Sequence, residues 1–143
     1  MYSFRDEHLG RLLQSAYRDF NDRALGKLHQ MGYHDLTQFQ AEIISYIELD
    51  GTRVKSLVAT TQTTKQAVGE AVAQLVKAGY VAKARDPADG RAQLLRFTSL
   101  GEQFLLDAHR LKAELEQDYT HFLGKQGFEE LQKHLQKLAA RRQ

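Results

Sequence analysis

The chain has 143 residues, 42% of them hydrophobic, and a net charge of +2 at neutral pH, a size that reads as one domain around a single core. It contains no cysteine, which excludes disulfides, thiolate metal sites, cysteine nucleophiles and thiol-based redox sensing. No apolar run approaches the ~20 residues that cross a bilayer, and the segment from Met1 to Glu7 lacks a signal-peptide core, so the expectation is a soluble, cytoplasmic protein without a membrane partner.

In chain order, Leu9, Leu12, Leu13, Ala16, Tyr17, Phe20, Ala24, Leu28 and Met31 recur at three- and four-residue steps and predict a first amphipathic helix over 5–31. A helix of about 25 residues is roughly 38 Å long, more than one face of a small domain needs. It is read either as a core helix or as one that packs partly, through Phe4, Leu9, Leu12 and Leu13, on a second subunit. The second reading is taken because the other end of the chain shows the same excess. Gly32 closes this helix. Thr37 and Gln40 form a capping box ahead of Phe39, Ile43, Ile44 and Ile47, a second helix predicted to end near Asp50-Gly51.

Val54, Leu57 and Val58 mark a short third helix over 53–59, and Thr60-Thr61-Gln62 separates it from the next. Thr63 with Gln66 reads as another capping box. Val68, Ala71, Val72 and Leu75 then make one buried stripe, and Gly79 stops the helix. Its other face carries Lys65, Gln66, Gly69, Gln74 and Lys77, with one acid, Glu70. A short helix, a tight turn and a longer helix is the helix-turn-helix layout, whose second helix enters the DNA major groove.

After Gly79 the period changes. Residues 80–85 and 92–97 read as two strands joined by Asp86-Pro87-Ala88-Asp89-Gly90, which holds the single proline and an Asp-Gly pair. Leu95 and Phe97 are predicted to point inward, Arg96 outward, with Arg91 at the hairpin tip. Ser99 and Glu102 form a third capping box for a long helix with Phe104, Leu105, Ala108, Leu111 and Leu115, reaching Phe122. Gly124 and Gly127 are read as interrupting it. Phe128, Leu131, Leu135 and Leu138 then make a last amphipathic helix that ends in Arg141-Arg142.

Charge is unevenly distributed. Residues 52–98 hold eight Lys and Arg against three acids, a net +5 that leaves −3 for the remainder. A basic module in an otherwise acidic protein is the electrostatic footprint of a phosphate-binding surface.

The run Asp86-x-x-Asp89-x-Arg91-Ala92, followed by Leu95-x-Phe97-Thr98-x-x-Gly101, resembles the wing and following helix start of MarR-type winged-helix transcriptional regulators. Leu75-x-x-x-Gly79-Tyr80-Val81 resembles the end of their recognition helix. The likeness extends in length and element order to nearly the whole chain, and its most specific part is about a dozen wing positions. It implies a mainly α fold: a winged helix-turn-helix over 36–98 with a small β-hairpin wing, and dimerisation helices over 1–35 and 99–143, all within one domain. It also implies a very short strand at Gly51-Thr52-Arg53, a homodimer on a pseudopalindromic double-stranded operator, and a DNA affinity lowered by a small molecule.

Arg91 is the leading site residue. A basic hairpin tip reaches into the minor groove, whose narrowness deepens the negative potential. In the family an arginine at this position does so and a wing aspartate helps hold it, here Asp89; the plain alternative is a solvated arginine beside a turn. Thr61, Gln62, Thr64, Lys65 and Gln66 lie where free N–H groups and the helix dipole favour phosphate. Gln66 can pair with adenine through its amide, while Lys65 and Lys55 suit phosphate. Gly69 lets the helix lie close to the groove. Each of these is equally readable as ordinary surface. Glu70 departs from the family, many of whose members carry a basic residue there; a carboxylate repels phosphate but accepts from a cytosine amine or pairs with a lysine.

An effector pocket is implied by the resemblance alone, with Tyr17, Phe20, Phe39 and Tyr46 as its candidates; aromatic residues at helical spacing also serve as core. The six histidines are scattered, none four residues from another, so neither metal nor cofactor is expected. There is no glycine-rich phosphate loop, nucleophile elbow or paired carboxylate, which argues against an enzyme. The reading is a sequence-specific, dimeric DNA-binding regulator, a repressor that responds to a small aromatic or phenolic effector. Its rivals are a winged helix used only for protein–protein contact and a metal or small-molecule sensor.

Overall fold

The computed structural model describes residues 8–142. They form α1 (Leu9–Gln30), α2 (Gln38–Ser45), β1 (Thr52–Arg53), α3 (Val54–Thr61), α4 (Lys65–Ala78), β2 (Val81–Arg85), β3 (Gln93–Phe97), α5 (Ser99–Leu123) and α6 (Lys125–Ala140). Contacts divide the chain into two compact units, one spanning Leu25–Ala108, the other comprising the chain up to Ala24 and from His109 onward.

In the unit Leu25–Ala108, α2 and α3 pack on α4. The stripe Val68, Ala71, Val72 and Leu75 is buried as predicted, with Ile43, Ile44, Leu57, Val81 and Leu95. Each large side chain taken fully from water contributes about 1.5–3 kcal/mol. The capping box at α2 is present: the backbone N–H of Gln40 donates to Thr37 Oγ1 at 3.2 Å, and the backbone N–H of Thr37 donates to Gln40 Oε1 at 3.0 Å. α2 stops at Ser45, earlier than expected. Its Ser45 hydroxyl donates to the Glu42 carbonyl at 2.6 Å, and residues 48–52 turn back instead, with the Glu48 N–H donating to Thr52 Oγ1 at 2.8 Å.

The sheet is antiparallel with order β1-β3-β2, so the expected short strand exists and pairs Thr52 with Leu95. β2 and β3 pair from Val81 with Phe97 to Arg85 with Gln93. Leu95 is fully buried and Arg96 exposed, but Phe97 is only half-buried and Leu94, on the opposite face, is buried as well. The cause is Gly51, where a side chain would lie 2.6 Å from Leu94 Cδ2: the chain entering β1 covers that face.

Two caps fall one residue from their predicted places. Thr64, not Thr63, caps α4, accepting from the Ala67 N–H at 3.1 Å, while the Thr63 hydroxyl donates to the Thr61 carbonyl. Thr98, not Ser99, starts α5: its hydroxyl accepts from the Gly101 N–H at 3.2 Å and donates to the carbonyls of Gly79 and Tyr80. α5 begins so close to the strand that a side chain at Gly101 would sit 2.1 Å from the Tyr80 carbonyl oxygen.

Beside it, Tyr33, Tyr80 and Phe104 form a cluster of edge-on and tilted rings, the closest pair 5.0 Å apart. The Tyr33 hydroxyl donates to Asp107 at 2.5 Å and the Tyr80 hydroxyl to Asp35 at 3.0 Å. Burial, reinforced by Asp107, pushes the Tyr33 phenol up to about 12, and burial with the Asp35 contact also raises Tyr80.

In the other unit, Asp19 of α1 accepts from the Tyr119 hydroxyl of α5 at 2.6 Å and from Arg23 Nε at 2.9 Å. Phe20 stacks on the Tyr119 ring. Tyr119 first, and Arg23 after it, hold the Asp19 carboxyl below the usual range. α5 breaks at Gly124 in the left-handed φ region, at 78°, where a residue without Cβ is at ease. Gly127 lies inside α6 and interrupts nothing. α6 buries no residue among those described: Leu131, Leu135 and Leu138 are each at least two-fifths exposed, as are Leu9, Leu12, Leu13 and Phe122. Phe4 lies outside the described residues.

Candidate nucleic-acid interface

The helix-turn-helix is set by its turn. α3 runs to Thr61, and Gln62 then takes a left-handed conformation, φ 52°, a geometry that glutamine adopts less readily than glycine. Thr63 leads into the Thr64 cap. The Thr61 hydroxyl donates to the Leu57 carbonyl at 2.8 Å, so its proton is committed within α3 and its oxygen remains as an acceptor only. The Thr64 hydroxyl works the other way: it accepts from Ala67 and keeps its proton free for an outside acceptor. Gln62, Thr64, Lys65, Gln66 and Gly69 are exposed, and Lys55 is exposed on the first turn of α3. The first turn of α4 carries no acid, so its dipole and free N–H groups favour an anion.

Glu70 pairs with neither lysine: it accepts from Gln66 Nε2 at 3.3 Å, one turn along the helix. An added Cβ at Gly69 meets nothing within 4 Å, so folding does not require glycine there.

The wing is held from its base. The Asp86 carboxylate accepts from Arg53 Nε at 2.6 Å and, through its other oxygen, from the Ala88 N–H at 2.9 Å. The Ala88 amide first and the Arg53 guanidinium second hold this carboxyl below the usual range. Asp86 N–H and the Ala92 carbonyl close the loop at 3.1 Å. At the tip, Asp89 accepts from the backbone N–H of Arg91 at 3.1 Å; the aspartate thus orders the loop that presents the exposed Arg91. The Arg53–Asp86 pair went unread in the sequence. Asp86 ahead of Pro87 signals the turn, but its partner is 33 residues away.

The four pocket candidates divide between the units. Tyr17 is well exposed on α1 and Phe20 is half-buried against Tyr119. Phe39 is half-buried on α2 and Tyr46, its C-cap, is exposed. A separate cleft of about 350 Å³ opens between α2 and the C-terminal half of α4, lined by Leu36, Leu75, Lys77 and the mutually hydrogen-bonded Gln40 and Gln74. Among the described residues no three His, Asp or Glu converge as for a metal ion, and no helix is long and apolar enough to cross a membrane.

The model of the MarR family matches residues 34–92. No curated protein matches the sequence significantly. Solved structures do. The reduced form of MarR from E. coli shares 23% identity with a TM-score of 0.80, over 92% of this chain and 96% of that one. A MepR variant from S. aureus, bound to an oligodeoxyribonucleotide, shares 20% identity with a TM-score of 0.63, over 95% and 99%. The transcriptional regulator Tm0710 from Thermotoga maritima shares 25% identity with a TM-score of 0.62, over 92% and 91%. The helix-turn-helix and most of the wing thus lie within the stretch that matches the MarR family model, in a chain whose fold is that of the MarR structures.

Proposed function

We propose that the protein is a homodimeric, sequence-specific DNA-binding transcriptional regulator of the cytoplasm and not an enzyme. The observation that carries this is the exposed, acid-free first turn of α4 in the same unit as a wing whose tip is Arg91, on a fold shared with a relative solved on an oligodeoxyribonucleotide. Two copies of α4 enter successive major grooves of a pseudopalindromic operator about one turn apart, with the wings in the flanking minor grooves. Lys55, Lys65 and the Thr64 hydroxyl take phosphates, Gln62 and Gln66 face base edges, and the oxygen of Thr61 accepts. Gly69 admits close approach, and Asp89 shapes the loop that carries Arg91. The exposed leucines of α1 and α6 supply the dimer surface.

The finer reading is a repressor released by a small aromatic or phenolic effector, with Tyr17, Phe20, Phe39 and Tyr46 as its contacts; thermal shift with phenolic compounds tests it. For DNA binding, the test is Arg91→Ala in titrations against operator duplex at several salt concentrations. The expected result is at least tenfold weaker binding, a salt slope smaller by about one and an unchanged melting temperature. Unchanged affinity removes the wing from the interface.

A further inference from the structure

Gln66 lies nearly opposite the buried stripe of α4, at the centre of its outward face, with Glu70 one turn further along. Gly69, which has no side chain, and Ala73, which has only a methyl, lie beside them and are exposed; Gln74 and Lys77 are exposed further along the helix, Gln74 accepting from the Gln40 side chain. Between Lys65 at the head of the helix and Gln74 further along, the hydrogen-bonding surface of this face is therefore the Gln66–Glu70 pair, joined by the 3.3 Å bond from Nε2 to Oε1. We infer that Glu70 is a specificity-determining residue: with Gln66 it selects a base bearing an exocyclic amino group, cytosine or adenine, on the strand it faces. This rests on the DNA-binding reading above.

The argument is one of donors and acceptors. An amide nitrogen has two hydrogens, and one is given to Glu70, so Gln66 presents one N–H and its carbonyl oxygen. A carboxylate presents lone pairs only. The pair is thus rich in acceptors. In the major groove cytosine offers its N4 amine and adenine its N6 amine, whereas guanine and thymine offer the acceptors O6, N7 and O4. A carboxylate set against O6 or O4 gains no bond and stays desolvated, which is strongly unfavourable for a charged group. The bond from Gln66 also restricts its amide, leaving one N–H and the oxygen, the donor and acceptor that adenine N7 and N6 require. Repulsion between Glu70 and phosphate is a second, separable effect: it lowers affinity for every sequence alike.

The experiment is selection from random duplexes with the full chain, for the wild type, Glu70→Ala and Glu70→Gln. The wild type is expected to recover half-sites with one base pair fixed, its cytosine or adenine always on the same strand of the half-site. Glu70→Ala should relax the preference at that position by roughly tenfold, leave the other positions intact and bind all DNA more tightly. Glu70→Gln, whose amide donates as well as accepts, should admit guanine or thymine there. A Glu70→Ala protein that keeps every wild-type base preference while gaining affinity uniformly overturns the inference and leaves Glu70 as a phosphate repeller. A wild-type protein that recovers no motif, and whose weak DNA binding is indifferent to Arg91→Ala, overturns the DNA-binding reading itself and the inference with it.

Discussion

α4 and α6 carry the same sequence signal and meet opposite fates. Both place apolar residues at three- and four-residue steps. In α4 the stripe Val68, Ala71, Val72 and Leu75 is 5% exposed or less; in α6 Leu131, Leu135 and Leu138 remain 42–46% exposed. Periodicity specifies which face of a helix must leave water, not what will cover it. α4 is covered by α2 and α3 of its own unit, whereas the α6 row, with Leu9, Leu12 and Phe122, is the kind of apolar surface that a partner covers.

Paired substitutions test that contrast most severely. Leu75→Ala should destabilise the protein by about 2–5 kcal/mol in chemical denaturation, since it opens a cavity in a closed core. Leu135→Asp should instead leave residues 25–108 folded and convert dimer to monomer in sedimentation velocity, with DNA affinity falling as a consequence. A Leu135→Asp protein that sediments as the wild type does would assign the α6 row to some other role.

A second, smaller effect concerns pH. The folded state favours the neutral phenol of Tyr33, raised from 10 to about 12. Its stabilisation is therefore complete below pH 10 and is lost as pH rises through about 12. Thermal melts across that window should fall less steeply for Tyr33→Phe than for the wild type. Tyr80 shifts in the same direction, so some slope will persist in the variant. The smallest effect is expected at Gly69, on the exposed side of α4. Gly69→Ala meets open space and should raise stability by up to about 1 kcal/mol, while calorimetric titration with operator duplex shows weaker binding.

Legibility followed distance along the chain. The Thr37–Gln40 box could be read because all its atoms lie within four residues. The caps of α4 and α5 were each displaced by one because adjacent hydroxyls compete, and the winner is chosen by contacts the local pattern does not contain; Thr98 is held by carbonyls 18 and 19 residues away. The Asp86 turn was legible, its bond to Arg53 was not. Glu70 was visible as a departure from the family, and its four-residue spacing from Gln66 is a helical pairing distance, yet only side-chain geometry distinguished that partner from a lysine. Doubling of the β3 burial, with Leu94 as well as Leu95 inside, depended on where Gly51 passes.

The junction of hairpin and helix also has a bearing on how the chain reaches this fold. Thr98 to Gly79 and Tyr80, Val81 to Phe97 and Gly101 against Tyr80 all join positions about twenty residues apart. Tyr33 to Asp107 closes a loop of 74 residues. Chain entropy opposes the long closure more than the short one, and contacts near in sequence form sooner. The wing and the head of α5 are therefore expected to form before the tyrosine clamp docks the segment that follows α1.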